Sequence, residues 1–301
     1  MLSLSTCWFR DHSMRTEDIL AEVRRLGFRA IEWAAALHHD EAVIAAAVRA
    51  GDVAVSSVHA VTDFHTVPGI SSWTGDVGSS DAAHRLGTVE ALCLTVERAR
   101  RLGARAVVLH AGGLSDTPLR KRWSAFLKRW NLEGPTDELR EELAAIHRQR
   151  ESESPAYIER TVRSVTDVLR RVGEFPIGLE TPYNSIDFPL PHELEHMWRE
   201  IGSDCVGYWH DMGHAHMQQL FSDVSELSWF DRYGDRVLGV HLHDAIGTSD
   251  HRPPGTGELP LAEVARRVAH RDIPCVIEVG TNYDTEDMLA AREFLESLGL
   301  R

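Results

Sequence analysis

The sequence predicts a (β/α)₈ TIM barrel: one α/β domain over residues 1–301, with a helical insertion at 113–155 after the fourth strand. Short β-rich runs alternate strictly with helical runs. Such alternation builds a parallel sheet, and eight units close a barrel. The junctions also repeat. Arg24-Arg25-Leu26-Gly27-Phe28-Arg29-Ala30-Ile31 resembles Arg100-Arg101-Leu102-Gly103-Ala104-Arg105-Ala106-Val107, and Arg170-Arg171-Val172-Gly173 is a weaker echo. In each, a helix ends, a glycine caps it in the left-handed region, and a strand begins. Three ordinary αβ loops would read the same way, and three similar loops are what a barrel contains.

The elements follow in order. Strand 2–8 leads to helix 16–26, strand 30–34 to helix 40–50, and strand 53–59 to helix 81–102. Strand 106–110 opens into the insertion, which returns through helix 156–172. Strand 176–180 precedes helix 191–201, strand 205–211 precedes helix 224–233, strand 237–243 precedes helix 261–270, and strand 274–279 precedes helix 285–298. The helices are assigned from apolar residues at i, i+3 and i+4. Within the insertion, Leu119, Trp123, Phe126, Leu127 and Trp130 stand at helical spacing among arginines and lysines, and a charged helix follows at 136–150. Loops after barrel strands sit on the active-site face. The insertion therefore reads as a lid or a homo-oligomer contact, or as two helices packed on the barrel wall.

Composition excludes several classes. The net charge of -14 repels phosphate backbones, which argues against a nucleic-acid partner. Cys7, Cys93, Cys205 and Cys275 lie far apart, so no disulfide framework or zinc knuckle is expected. Lys121 and Lys128, both in the insertion, are the only lysines, and no strand offers one for Schiff-base chemistry. Gly255-Thr256-Gly257 is too short for a phosphate-binding glycine loop. No apolar run reaches the roughly 18 residues that cross a bilayer, and the N-terminus lacks the pattern of a signal peptide. A cytoplasmic location is the expectation.

The strand ends carry the chemistry. Apolar runs end in His59, His110, Glu180, Asp211, His241 and Glu278. In a barrel these ends converge at the carboxyl mouth. One such residue alone reads as a satisfied structural group, or as half of an arginine pair. Six share no structural excuse. Carboxylates gathered in one buried mouth repel one another, and a cation relieves this. Glu180, Asp211, His241 and Glu278 supply three carboxylates and one imidazole. That set suits one divalent ion, Mn²⁺, Mg²⁺, Co²⁺ or Zn²⁺, and leaves coordination positions open.

The motifs resemble the xylose isomerase-like TIM-barrel superfamily, which includes sugar-phosphate isomerases, ketose epimerases, inosose dehydratases and endonuclease IV. The matching pieces include Ala30-Ile31-Glu32-Trp33, Ser57-Val58-His59, Leu109-His110-Ala111-Gly112, Leu179-Glu180-Thr181-Pro182, His210-Asp211-Met212-Gly213-His214, Val240-His241-Leu242-His243-Asp244, the run from His251 to Glu258, and Val276-Ile277-Glu278. They span nearly the whole chain. The resemblance implies that Glu180, Asp211, His241 and Glu278 hold the metal and that His214 and His251 contact substrate. It implies that His59 and His110 line the mouth, and that Glu32 either acts there or pairs with an arginine.

Three functions fit. The first is a sugar, sugar-phosphate or inosose isomerase or epimerase. Glu180 and Glu278 would trade a proton through an enediolate stabilised by the ion; the same site could run a dehydratase or lyase reaction. The expected substrate is a small polyol or sugar. The second is an endonuclease IV-like zinc phosphodiesterase acting on abasic DNA, using His59, His110, His214, Asp250 and His251 as further ligands. Against it, Ser249-Asp250-His251 stands where that family has Asp-x-His, and the run after His59 (60–64) differs. The third is a non-catalytic scaffold, which would have lost ligands.

Overall fold

In the computed structural model every apolar run becomes a parallel strand. The structure describes all residues except 10–13, 35–38, 62–65, 68, 71–74, 115–116 and 223, so residues 62–64 of the run after His59 lie outside it. The strands are β1 (Leu2–Ser5), β2 (Ala30–Trp33), β3 (Ala54–His59), β4 (Ala106–Leu109), β5 (Ile177–Glu180), β6 (Val206–Asp211), β7 (Val237–Leu242), β8 (Asp244–Ile246), β9 (Ser249–Arg252) and β10 (Cys275–Ile277). Eight of them close a barrel in the order β1-β10-β7-β6-β5-β4-β3-β2. β8 and β9 form a separate antiparallel hairpin beside the mouth, an element the sequence reading does not contain.

The helices are α1 (Thr16–Arg25), α2 (Glu41–Ala50), α3 (Ala82–Arg101), α4 (Pro118–Glu133), α5 (Asp137–Val172), α6 (Pro191–Ile201), α7 (Met212–Phe221), α8 (Ser228–Tyr233), α9 (Leu261–Val268) and α10 (Thr285–Ser297). Asp40, Asp81 and Asp284 cap α2, α3 and α10 by accepting first-turn N–H bonds. Gly27 and Gly103 take φ of 83° and 71° at the repeated junctions, as a left-handed cap requires. No helix among the described residues is long and apolar enough to cross a membrane.

Two expectations are corrected. Helices at 136–150 and 156–172 are one continuous helix, α5, which runs through Pro155. Proline removes one N–H, leaving the carbonyl four residues back without its donor. The Ser154 hydroxyl donates to that Glu151 carbonyl at 3.3 Å, which lets the helix pass. The second correction is α7, which follows β6 with no loop. Its residues are almost all buried, so they lack an amphipathic stripe.

The core has two parts. A large cluster lies between barrel and helices. A small one fills the barrel itself: Ala106, Val108, Trp209 and Val276, with Leu238 against them. Trp209 fits because Gly239, its partner on β7, and Gly178, packed against it from β5, carry no side chain; an added Cβ at Gly239 would collide with the indole. The apolar stripe of α4 is covered within the chain, since Trp123, Phe126 and Trp130 all make ring contacts with Phe221 of α7.

Candidate metal centre

Parallel strands deliver their carboxyl ends to one rim, and four strand ends meet there. Ligand atoms of Glu180, Asp211, His241 and Glu278 all lie within 4.8 Å of one another. His241 Nδ1 sits 2.8 Å from Glu180 Oε1, 3.3 Å from Asp211 Oδ2 and 2.9 Å from Glu278 Oε2. Its other nitrogen, Nε2, lies 3.1 Å from Glu32 Oε2 and donates its proton there. Glu32 in turn accepts the Ser57 hydroxyl at 2.8 Å. The imidazole is thus fixed with Nδ1 turned to the three carboxylates, where a cation could replace its proton, the arrangement in which an outer carboxylate orients a metal-binding histidine. All four residues are buried. Among the described residues, the cationic groups within 4.0 Å of these three carboxylates are imidazoles only. The donor set fits a divalent cation and does not select one.

The electrostatics keep the acids ionised. Burial opposes charge on Glu180, yet His110 and His241 hold its carboxyl well below the usual range. Burial likewise opposes Asp211, and His214 and His243 hold it well below. Glu278 is brought down to about 2, His241 overcoming burial. His241 is pushed above its ordinary range, because Glu278, Glu32 and Glu180 outweigh its desolvation.

The other histidines form a ring around this cluster. His59 and His110 place Nε2 at 3.4 and 2.6 Å from Glu180 Oε2. The His214 backbone N–H donates to Asp211 Oδ1 at 2.7 Å, so Asp211 also caps α7. His251 Nδ1 pairs with Asp250 Oδ2 at 2.9 Å. Two further triads bring possible ligand atoms within 4.8 Å, His59 with His110 and Glu180, and His214 with Asp250 and His251. Successive residues on a strand face opposite ways. His251 escapes this by taking φ 51°, the one positive value outside glycine among the described residues. That strained conformation lets Asp250 and His251, adjacent in sequence, turn to the same mouth.

The structure relocates one expected residue. Glu32 is fully buried beneath His241 and, among the described residues, pairs with no arginine and is absent from the cavity wall. Its carboxylate faces His241 Nε2 rather than the cavity. His243 carries a role the sequence reading did not give it. Its Nδ1 accepts the His251 backbone N–H at 2.9 Å, so Nε2 carries the proton and donates to Asp211 Oδ1 at 3.0 Å. The signal was available: His241 and His243 are two apart in the predicted strand 237–243, hence expected on one face. The Gly255-Thr256-Gly257 turn wraps Asp244, whose carboxylate accepts the N–H groups of Gly255 and Leu259 at 3.0 Å. The mouth itself is a cavity of about 980 Å³, lined among others by His59, His110, Glu180, His214, His251 and Glu278.

A closed eight-stranded barrel with a carboxylate–histidine cluster at its carboxyl rim defines a metal-competent TIM-barrel protein. The chain matches the model of the xylose isomerase-like TIM barrel family over residues 20–298 and belongs to that family. It is 40% identical over 73 residues to fructoselysine 3-epimerase of Escherichia coli O157:H7, a stretch covering 23% of this chain and 26% of that protein. The chain thus spans about a quarter of the curated relative's length. Its fold is similar to the structure of an L-ribulose 3-epimerase, with TM-score 0.68 and 17% identity over 99% of this chain and 94% of that one. It is also similar to D-psicose 3-epimerase from Clostridium cellulolyticum H10, with TM-score 0.67 and 14% identity over 100% and 99%.

Proposed function

We propose that this chain is a divalent-metal-dependent sugar isomerase or epimerase that moves a proton at a carbon beside a carbonyl. One observation carries the reading: Glu180 and Glu278 come from different strands, meet at His241 Nδ1, and each keeps a second carboxylate oxygen outside that contact. Glu180, Asp211, His241 and Glu278 would hold the cation, which would supply Lewis acidity toward a carbonyl and its neighbouring hydroxyl and so acidify the carbon-bound hydrogen. Glu278, whose Oε1 is turned toward Cys7 Sγ at 3.9 Å, takes that proton as general base. Glu180, ionised in the resting site, picks up a proton from water or a substrate hydroxyl and returns it to that carbon, with the imidazole of His110 2.6 Å from its Oε2. His59, His214 and His251 anchor hydroxyls of the substrate. The epimerases of known structure with the same fold, and the epimerase relative in sequence, support this chemistry. Elimination from the same enediolate would make the protein a dehydratase instead.

The test is a screen of ketoses and inososes with metal-loaded protein in D₂O, with elemental analysis of the preparation. The expected result is one ion per chain and deuterium entry beside the carbonyl. In Glu278→Gln, turnover is expected to vanish with the fold retained; full activity there removes Glu278 from the mechanism. A second reading is favoured by one observation, the two additional triads at the rim. They suit a three-zinc phosphodiesterase of the endonuclease IV kind. The charge of -14 opposes DNA, and three zincs with cleavage of abasic DNA would decide for it. The 113–155 insertion is read as a wall of the mouth, and light scattering tests its alternative as a homo-oligomer contact.

A further inference from the structure

The cavity is larger than its cation site needs. At about 980 Å³ it sits at the top of the roughly 300–1,000 Å³ range of small-molecule pockets, whereas a free ketohexose has only about twelve non-hydrogen atoms. The surplus space is bounded by a second wall that includes Arg120, Asn184 and Asp187.

This wall is a fixed polar network. Buried Trp123 donates Nε1–H to Asn184 Oδ1 at 2.7 Å, and Asn184 Nδ2 donates to Asp187 Oδ2 at 2.6 Å. Arg120 donates from Nη2 to Asp187 Oδ1. Gly113 makes the space, since an added Cβ there would collide with Asp187 Oδ1. The side chains of Arg120 and Asp187 keep 29% and 16% of their exposure, enough to reach a ligand. A guanidinium carries five N–H donors, and among the described residues Arg120 gives side-chain bonds only to Asp187.

The charge balance narrows the ligand. Arg120 and Asp187 cancel. Farther along the wall, Asp76 accepts from the Gly78 N–H, and Asp81 accepts from those of Ala83 and His84. Among the described residues of this wall, no arginine or lysine stands uncompensated for a phosphate. Planar donors and acceptors, held rigid and neutral as a pair, match ring hydroxyls.

We infer that the substrate is a ketose or keto-sugar bearing a second, uncharged glycosyl group, whose hydroxyls bind Arg120, Asn184 and Asp187. This rests on the isomerase or epimerase reading and names its substrate class. The test compares D-fructose, lactulose (a galactosyl ketose), D-fructose 6-phosphate and a fructosyl-amine with a terminal ammonium, all with Mn²⁺-loaded protein. Lactulose is expected to exceed fructose in kcat/KM by about tenfold or more, the order of one added hydrogen bond to a charged group, with the gain in KM. In Asp187→Asn and in Gly113→Ala that preference falls toward unity. Equal constants for fructose and lactulose, or a preference for the phosphate or the ammonium, overturns the inference. If no ketose is turned over, the activity reading fails separately. Calorimetric binding of lactulose against fructose then decides the substrate class, and equal affinity ends it.

Discussion

Glu32→Gln isolates the outer support of the cation cluster. Glu32 presents Oε1 and Oε2 at 3.2 and 3.1 Å from His241 Nε2 and also accepts the Ser57 hydroxyl. As a carboxylate it can only accept, so it forces the imidazole proton onto Nε2 and frees Nδ1. An amide of the same shape faces a choice. With its NH₂ toward His241, the proton moves to Nδ1, where a cation must bind. With its oxygen there, the tautomer survives but the bond is no longer charge-assisted. Bonds to charged groups contribute about 1.5–3 kcal/mol against about 0.5–1.5 for neutral ones. The gentler outcome therefore costs roughly 1–1.5 kcal/mol, which is about tenfold in affinity. Outer-shell substitutions span about 10–100-fold. Mn²⁺ affinity measured by calorimetry on the folded variant is expected to fall within that span. An affinity equal to that of the parent protein would refute the orientation argument.

Other consequences follow from charge and packing. His59 and His251 are each held at about 9, their carboxylate partners outweighing burial. A raised folded value gives stability that is complete below about 6.5 and lost as pH climbs through 9. Glu278, lowered to about 2 from 4.5, gives stability present above 4.5 and lost as pH falls toward 2. The chelator-treated protein should thus melt highest between these limits, and a constant Tm from pH 6.5 to 9 would contradict it. Arg150 and Glu193, 2% and 4% exposed, form a buried pair joining α5 to α6. Arg150→Met strands a buried carboxylate and is expected to lose about 3–5 kcal/mol in urea unfolding; a change under 1 kcal/mol would count against the pair's role. Gly239→Ala forces a methyl against Trp209 and is expected to cost about 1–3 kcal/mol, read the same way.

The barrel was legible because its strands are buried on both faces and so appear as apolar runs, each closed by a polar residue at the rim. The rim residues were legible for the same reason: a histidine or glutamate after Val240 or Ile277 has no packing role. What escaped notice depended on contacts between distant segments. Glu32 lies inside its strand, unlike Glu180, and only the register between β2 and β3, which sets Ser57 beside it, and the approach of His241 reveal that it faces inward. The continuity of α5 across Pro155 turned on one hydroxyl, and no propensity encodes that bond. α7 lacked periodicity because nearly every side of it is covered. The polar wall around Asp187 joins α4, the turn after β5 and the glycines after β4, segments about 70 residues apart.

Trp209 lies directly under His241, with ring centroids 5.2 Å apart, and closes the barrel from below. Among the described residues, the approach to the cluster runs through the cavity lined by His59, His110, His214 and His251. Whatever enters by that route would stand between a bound cation and bulk water, so the ion would have to go in first and come out last. A molecule seated in the mouth acts as a stopper, and a chelator must wait for it to depart. Retention of the cation in a cell would then depend on how often the doorway is vacant as well as on the grip of its ligands.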